Sequence, residues 1–333
     1  MPRTIFRRFC AAVLLVAGLC LAPTPASAAV TCSDVYVPVT VALLPQTMHG
    51  RLCAPTGAKV VHVLIPGGTY NASYWDIGYT PELRSYRLAM NSAGVATLAL
   101  DRLGTGLSSK PLSTLVTASV EAAAAHQVIQ TLRPRFSKVI VGGHSIGSAM
   151  AMIEAGTYHD VDGVVVTGMT HKMNYITVLP TLANMIPAAL DPKFLGTTLD
   201  VGYLTTNAGT RYTAFHTPGP YDAGAIAYDE STKDVFSASE SVDTILLTNV
   251  VIPVSRQITV PVLLAMGNDP NFCGPLDTDC TSAATLYASE VPYFPSSPKL
   301  STFVLNGYGH AINYAPNAPT YFQQVSSWTK SLG

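Results

Sequence analysis

Short apolar runs alternate with helical stretches along most of the chain. Several of these runs are apolar throughout instead of alternating with polar residues, which is typical of parallel strands buried beneath helices on both faces. The predicted strands are Val35–Val41 and Arg51–Cys53 as a leading antiparallel pair, then Val60–Pro66, Val95–Leu100, Lys138–Gly142, Val161–Gly168, Val260–Met266 and Leu300–Leu305. The predicted helices are Pro81–Ala93, Thr117–Leu132, Ile146–Gly156 and the amphipathic Ala318–Ser331. This order of elements predicts an α/β fold with a mostly parallel sheet and helices on both faces.

The alternation stops between two predicted strands. Residues 169–257 are rich in Thr, Ala, Leu and Tyr and contain short helical pieces such as Leu179–Ile186, which Pro187 is expected to end. We interpret residues 169–257 as a cap inserted into a core domain formed by residues 29–168 and 258–333. An extended set of surface loops is the alternative. The acidic stretch from Asp229 to Asp243 is predicted to be a solvated helix face.

The N-terminal residues 1–28 have the pattern of a secretory signal peptide. Arg3, Arg7 and Arg8 precede an apolar run that ends at Ala22, and Ala26-Ser27-Ala28 forms an A-x-A cleavage site. The apolar run is shorter than the roughly 18 residues that a membrane-spanning helix needs. The sequence therefore predicts a secreted protein without a stable membrane anchor.

Charged residues are sparse. They make up 12% of the chain, and the formal net charge is −1. Removal of residues 1–28 takes away three arginines and no acid, which leaves a formal charge of −4. Such a surface has no basic field for nucleic acid or anionic lipid and disfavours anionic substrates. The sequence predicts no nucleic-acid partner and does not determine the oligomeric state.

Export to an oxidising compartment would allow the cysteines to form disulfides. Cys10 and Cys20 leave with the signal peptide, and an even number remains in an oxidising compartment. Three pairings are possible, and we expect Cys32–Cys53 and Cys273–Cys280 because each pair is local. Free buried thiols are the alternative. No C-x-x-C or H-x-x-x-H spacing occurs, so no metal site is predicted.

The pentapeptide Gly143-His144-Ser145-Ile146-Gly147 is a G-x-S-x-G motif. It stands directly between a predicted strand and a predicted helix, which is the position of a nucleophile elbow. The serine of such an elbow adopts a positive φ, and the residues two before and two after it come so close that glycine fits both positions best. The motif therefore predicts Ser145 as a nucleophile at a helix N-terminus.

A serine nucleophile needs a base, and the base needs an orienting carboxylate. The last predicted strand is followed by Gly307-Tyr308-Gly309-His310, which makes His310 the candidate base. The preceding strand ends in Gly267-Asn268-Asp269, which makes Asp269 the candidate acid; Asp277 and Asp279, farther along the same loop, are alternatives. The chain order Ser145, Asp269, His310 is the one found in sheets of this kind.

Two backbone N–H groups are needed to stabilise the developing oxyanion. One is expected from Ile146, which follows the nucleophile. The other is expected from the loop after Val60–Pro66, where Gly68 is the first candidate and Thr69 the alternative.

These motifs together resemble the α/β-hydrolase superfamily. The resemblance rests on GHSIG at the elbow, on Asp269 and His310 after the last two strands, and on Asp101-Arg102-Leu103-Gly104-Thr105-Gly106-Leu107-Ser108, which is similar to the family's D-R-x-G-x-G-x-S loop. It covers about residues 35–331 except the cap. It implies an eight-stranded, mostly parallel sheet and no cofactor. A substrate does not follow from it, because one fold hosts many reactions.

The identity of the nucleophile limits the classes of reaction that the protein can catalyse. Haloalkane dehalogenases and epoxide hydrolases of the superfamily use Asp at the elbow, so Ser145 argues against both. A serine triad implies acyl transfer through an acyl-enzyme, and we expect a neutral, moderately hydrophobic ester or lactone as the substrate. A perhydrolase or haloperoxidase-like activity, or a carbon–carbon hydrolase or lyase, on the same triad is the alternative. A non-catalytic secreted binding protein is a third interpretation.

Pocket residues are the least determined part of the site. His144, Tyr70 and Met169 are candidates, and for His144 a purely structural role is equally compatible with the sequence. The apolar residues of the cap are expected either to line an enclosed apolar pocket or to form the cap's own core. These residues are Tyr175, Leu179, Leu182, Met185, Ile186, Leu190, Phe194, Leu195 and Tyr203.

Overall fold

The computed structural model describes residues 28–250, 253–274 and 277–333. The signal peptide predicted for residues 1–28 therefore lies outside the described residues, except for its last residue. The strands in chain order are β1 (Val30–Val41), β2 (Leu44–Pro55), β3 (Val60–Ile65), β4 (Ala96–Leu100), β5 (Lys138–His144), β6 (Gly163–Thr167), β7 (Met185–Pro187), β8 (Tyr203–Thr206), β9 (Phe236–Ser237), β10 (Val262–Gly267) and β11 (Leu300–Leu305).

Eight of these strands form one sheet in the order β1-β2-β4-β3-β5-β6-β10-β11. β2 pairs antiparallel with both of its neighbours, and all the other pairs are parallel. The predicted α/β fold with an eight-stranded, mostly parallel sheet is therefore confirmed. The leading antiparallel pair is longer than predicted, and its register places Cys32 directly opposite Cys53.

The helices differ from the prediction at two places. They are α1 (Pro81–Arg84), α2 (Tyr86–Ser92), α3 (Ala118–Leu132), α4 (Ile146–Tyr158), α5 (Tyr175–Ala183), α6 (Ala223–Thr232), α7 (Ala238–Ile245), α8 (Ala283–Glu290) and α9 (Ala318–Ser331). The predicted helix Pro81–Ala93 is divided at Ser85, whose backbone is extended and whose hydroxyl caps α2 by accepting the N–H of Leu88.

The predicted helix Leu179–Ile186 is wrong in its position. Asn174 accepts hydrogen bonds from two backbone N–H groups and starts α5 earlier, so Pro180 falls inside the helix. Pro187 does not end a helix, because residues 185–187 form β7 and pair with β8. Propensity alone does not reveal a strand whose partner lies about 20 residues away.

The sheet carries one apolar layer on each face. β3 illustrates how: Val61, Val63 and Ile65 pack with α3 and α4, whereas Leu64 packs with α2 and α9. β4, β6 and β10 are buried along their whole length, as their unbroken apolar sequences predict. The carboxyl ends of these parallel strands therefore present loops at one rigid edge, which is where ligands bind in sheets of this type.

The segment from 169 to 257 connects β6 to β10. It holds α5, α6, α7 and a small antiparallel sheet of order β7-β8-β9. Two disulfides, Cys32–Cys53 and Cys273–Cys280, join the predicted pairs of cysteines. Within the described ranges, none of the helices has both the length and the hydropathy that crossing a bilayer requires.

Candidate active site

Ser145 occupies a strained turn between β5 and α4. Its backbone has φ 55° and ψ −127°, the positive φ expected of an elbow serine. A β-carbon added to Gly143 would lie 2.1 Å from the carbonyl oxygen of Gly147, and one added to Gly147 would lie 2.4 Å from the carbonyl oxygen of Ile65. Both distances are far below van der Waals contact, so the turn can form only with glycine at these positions.

His310 and Asp269 meet beyond the carboxyl ends of β11 and β10. Nδ1 of His310 lies 2.6 Å from Oδ2 of Asp269, and both side chains are buried. The second oxygen of Asp269 accepts the backbone N–H of Asn271, so the carboxylate is fixed in the loop. The alternative acid Asp279 is exposed and accepts hydrogen bonds from Thr281 instead.

Ser145 and His310 line the same cavity, whose volume is about 120 Å³. Its walls are mostly apolar, with Phe272 stacked parallel to the His310 ring and Phe215 tilted against it. Side chains of the 169–257 segment close the other side. They are Met173, Val178, Thr181, Leu182, Met185, Phe215, Phe236, Ser241, Thr244 and Ile245.

The predicted oxyanion donors lie at the same cavity. Gly68 and Ile146 both line it, and a β-carbon on Gly68 would lie 3.2 Å from the Ile146 side chain. Within the part of the chain that the structure describes, neither backbone N–H donates a hydrogen bond to the protein. Thr69, the alternative, is buried and uses its hydroxyl to accept a hydrogen bond from Arg211.

A buried arginine holds the loop that carries Gly68. Arg102 donates to the carbonyl oxygens of Gly67 and Val235, each at 3.2 Å, and forms an ion pair with Glu240. Burial and the nearby Glu240 carboxylate raise the pKa of Glu121, which lies beside this ion pair, well above its usual range. The segment that resembles the family's D-R-x-G-x-G-x-S loop therefore supports the loop that carries Gly68. Arg102 itself does not line the cavity.

The three candidate pocket residues are buried beside the site. None of them is among the described residues that line the cavity. His144 stacks on Tyr74 at 4.2 Å, and burial, followed by the charges of His310 and Arg211, holds the pKa of its imidazole well below its usual range. Tyr70 packs edge-on against His144, and Met169 is buried in the core. His144 is therefore a neutral packing residue beneath His310.

Sequence reasoning missed a buried polar network beside the site. Asp229 accepts hydrogen bonds from Arg211 and from Nε2 of His216, each at 2.8 Å, and His216 Nδ1 lies 2.6 Å from the Tyr308 hydroxyl. The prediction of a solvated acidic face is wrong, because Asp229, Asp234 and Glu240 are buried. The sequence carries little signal for this network, because Arg211 stands in a mixed stretch rich in Thr, Gly and Tyr that does not identify its carboxylate partner.

The network contacts both loops of the site. Arg211 donates to the Thr69 hydroxyl at 3.0 Å, beside Gly68. The backbone of His216 and Phe215 accepts N–H groups from Gly309 and Ala311, the two neighbours of His310. The segment 169–257 therefore braces the candidate base and the candidate oxyanion loop at once.

A second serine–histidine–carboxylate arrangement lies elsewhere in the molecule. Nε2 of His171 is 2.7 Å from the Ser255 hydroxyl, and Nδ1 is 2.6 Å from Glu290. All three side chains are buried, and Ser255 is only 1% exposed, whereas Ser145 is half-buried and lines a cavity. The histidine–serine hydrogen bond is made in this second arrangement, but its serine is closed off, whereas Ser145 opens onto a cavity that His310 also lines.

A model of the alpha/beta hydrolase family matches residues 63–321. No curated protein gives a significant match.

Solved structures share the fold at low identity. An esterase from Thermogutta terrifontis has a TM-score of 0.59 at 13% identity, covering 90% of this chain and 99% of its own. An enol-lactonase from Burkholderia xenovorans has a TM-score of 0.60 at 15% identity, covering 88% and 99%. A carboxylesterase from Bacillus subtilis has a TM-score of 0.58 at 14% identity, covering 90% and 92%. Because the family model spans well over half of the sequence, the chain belongs to the alpha/beta hydrolase family.

Proposed function

We propose that the protein is a secreted serine hydrolase that cleaves a neutral, moderately hydrophobic carboxylic ester or lactone. One observation carries the proposal. Ser145 and His310 line one apolar cavity, and Asp269 holds Nδ1 of His310 at 2.6 Å. With Nδ1 occupied in this way, Nε2 is the nitrogen left to face the serine.

In the proposed mechanism, Nε2 of His310 accepts the Ser145 hydroxyl proton as Oγ attacks the substrate carbonyl. The N–H groups of Ile146 and Gly68 stabilise the oxyanion. His310 then returns the proton to the leaving alcohol, which leaves an acyl-enzyme. Water hydrolyses the acyl-enzyme by the same steps, with His310 again as the base.

The cavity supports the substrate class. Its walls are apolar, and its volume of about 120 Å³ is small. An apolar cavity of roughly 150 Å³ accommodates benzene, so we expect an acyl group of about four to six carbons to fit best. The two disulfides support the secreted location, since disulfides persist in oxidising compartments. The esterase and lactonase named among the structural neighbours support ester chemistry by analogy only.

The test is hydrolysis of p-nitrophenyl esters and lactones of graded acyl length by wild-type protein and by two serine variants. Ser145→Ala should lower kcat/KM by at least about 10³-fold with unchanged thermal unfolding, because it removes the hydroxyl that forms the acyl-enzyme in the proposed mechanism. Ser255→Ala is the matched control, since it removes the buried serine that is hydrogen-bonded to His171, and it should retain activity.

Labelling by an organophosphonate gives an independent readout. Peptide mass spectrometry should find the adduct on Ser145 and none on Ser255. Retained hydrolysis in the Ser145→Ala variant would refute the proposal. So would peracid formation or β-diketone cleavage by wild-type protein with no ester or lactone turnover.

A further inference from the structure

A cluster of one histidine and two carboxylates lies between α3 and the end of α4, away from the candidate active site. His126 is on α3, Glu154 is on the last turns of α4, and Asp160 follows α4 directly. One ligand atom from each side chain can be chosen so that all three lie within 4.8 Å of one another. Ser145 stands at the opposite end of α4 from this cluster.

The polar atoms of the three side chains converge on one small volume. Nδ1 of His126 lies 2.8 Å from Oδ2 of Asp160 and 3.8 Å from Oε1 of Glu154. Yet within the described chain, this Nδ1 and both oxygens of Glu154 have no hydrogen-bond partner. Glu154 is completely buried, and an ionisable group in that position without a partner is costly.

No cationic side chain compensates the two acids. In the described ranges, the ion pairs of Glu154 and Asp160 are made with His126 alone, and Gln130 donates to Asp160. The carboxyl end of α4 adds the negative end of a helix dipole at the same place. A bound cation would neutralise both carboxylates and this helix end together.

We propose that His126, Glu154 and Asp160 bind a divalent transition-metal cation of the zinc type. Imidazole nitrogen and carboxylate oxygen are zinc ligands at about 2.0–2.2 Å, which places tetrahedral ligand atoms roughly 3.4 Å apart. The two separations from His126 Nδ1, 2.8 and 3.8 Å, bracket that value, and ligand atoms of all three side chains lie within 4.8 Å of one another. Glu154 forms the floor of the site, while His126 and Asp160 are partly exposed and leave a path of entry.

No motif in the sequence marks this site, because the three side chains come from separate parts of the chain and match no metal-binding spacing. The competing occupant is a proton. Burial, followed by the interactions with the Asp160 carboxylate, raises the pKa of Glu154 to about 10, which favours a proton as that occupant. Zinc binding and a permanently held proton are separable by titration.

The experiment uses untagged protein, treated with a chelator and dialysed, and titrates it with zinc chloride by isothermal calorimetry at pH 7. Wild-type protein should bind one zinc ion per chain. His126→Ala and Glu154→Gln should each weaken binding by at least about tenfold. His159→Asn is the matched control: His159 is exposed, adjacent to Asp160, and in a left-handed conformation that asparagine tolerates. It should bind zinc as tightly as wild-type protein.

Thermal unfolding provides the second readout. Zinc should raise the Tm of wild-type protein and of His159→Asn, and should leave that of His126→Ala unchanged. His126 is partly exposed, so its replacement should not prevent folding even if Glu154→Gln does. Absence of zinc binding by wild-type protein would overturn the proposal and assign the cluster to a held proton. Equal zinc affinity in wild-type protein and His126→Ala would overturn it as adventitious surface binding.

Discussion

At the scale of single residues, the candidate site depends on how one imidazole is held. His310 follows Gly309, which packs directly against the backbone of Thr217, and its ring is held on one side by Asp269 and stacked on Phe272. His144, a neutral imidazole, lies 4.7 Å away between ring centroids and adds no charge beneath it. Asp269 is therefore the side chain that hydrogen-bonds Nδ1 of His310, and this bond sets the tautomer of the imidazole.

The role of Asp269 can be tested by an isosteric change. Asp269→Asn should lower kcat by about 10⁴-fold, because an amide in this position stabilises the wrong imidazole tautomer. The fold should persist, since the amide fills the same volume. Asp279→Asn, in the same loop but exposed, is the control and should leave steady-state kinetics unchanged. Equal kinetics for the two variants would exclude Asp269 as the orienting acid.

At the scale of elements, close backbone contact at the elbow explains why positions 143 and 147 are glycine. β5 enters the turn and α4 leaves it so closely that Gly143 touches the backbone of Gly147, and Gly147 touches the end of β3. Such contacts allow the Ser145 side chain to stand clear of the sheet at the N-terminus of α4, beside the candidate site. The same closeness leaves no room for even a methyl group.

The variant Gly143→Ala tests this contact. Its β-carbon would lie 2.1 Å from a backbone oxygen, and backbone on both sides is fixed by the sheet, so we expect a loss of about 4 kcal/mol or more in the free energy of unfolding. Gly57→Ala is the comparison: it has a positive φ but open space around it, and should cost only about 1–2 kcal/mol. Chemical denaturation measures both. A Gly143→Ala protein as stable as Gly57→Ala would show that the turn can relax.

At the scale of the whole molecule, buried charges join the 169–257 segment to the sheet. Arg102 reaches Glu240 on α7, and Arg211 reaches Thr69 in the loop after β3. The Asp229 carboxylate is completely buried, but it is compensated by Arg211 and His216. Breaking such a network leaves an unpaired buried charge, which costs far more than the network contributes when intact.

The Asp229 carboxylate makes this ion-pair network between the 169–257 segment and the sheet sensitive to acid. Burial acts to raise its pKa, but the charge of Arg211 and the hydrogen bond from His216 outweigh burial and lower it to about 2. A depressed folded-state pKa stabilises the fold above the unfolded-state value near 4, and that stabilisation is lost as the pH falls towards 2. The contribution at neutral pH is about 2 kcal/mol.

We therefore expect Asp229→Asn to destabilise the protein by roughly 3–5 kcal/mol at pH 6, since Arg211 is left without its anionic partner. Urea denaturation at pH 6 and at pH 2.5 measures the difference between the variant and wild-type protein. The difference should shrink at the lower pH, because wild-type Asp229 begins to take up a proton there. Asp200→Asn, at a partly exposed carboxylate, should cost less at pH 6. A difference that does not change with pH would contradict the assignment.

The sequence by itself determined the features that depend on neighbours along the chain. Unbroken apolar runs specified the buried strands because a strand covered on both faces has no polar side. The elbow could be recognised because a positive φ and a close backbone approach constrain residues only two positions away. The local cysteine pairs and the positions of His310 and Asp269 just after strands are of the same kind.

Only the tertiary structure decided which distant groups meet. The acidic stretch from Asp229 to Asp243 gives no sign of burial until Arg102 and Arg211 are placed beside it by the packing of the sheet. The position of β7 depended on β8, and the candidate pocket residue His144 proved to be packed beneath the site because Tyr74 covers it. Side-chain periodicity shows which face of an element is apolar. It does not show which buried charges will meet, because that depends on how strands and helices are arranged in space.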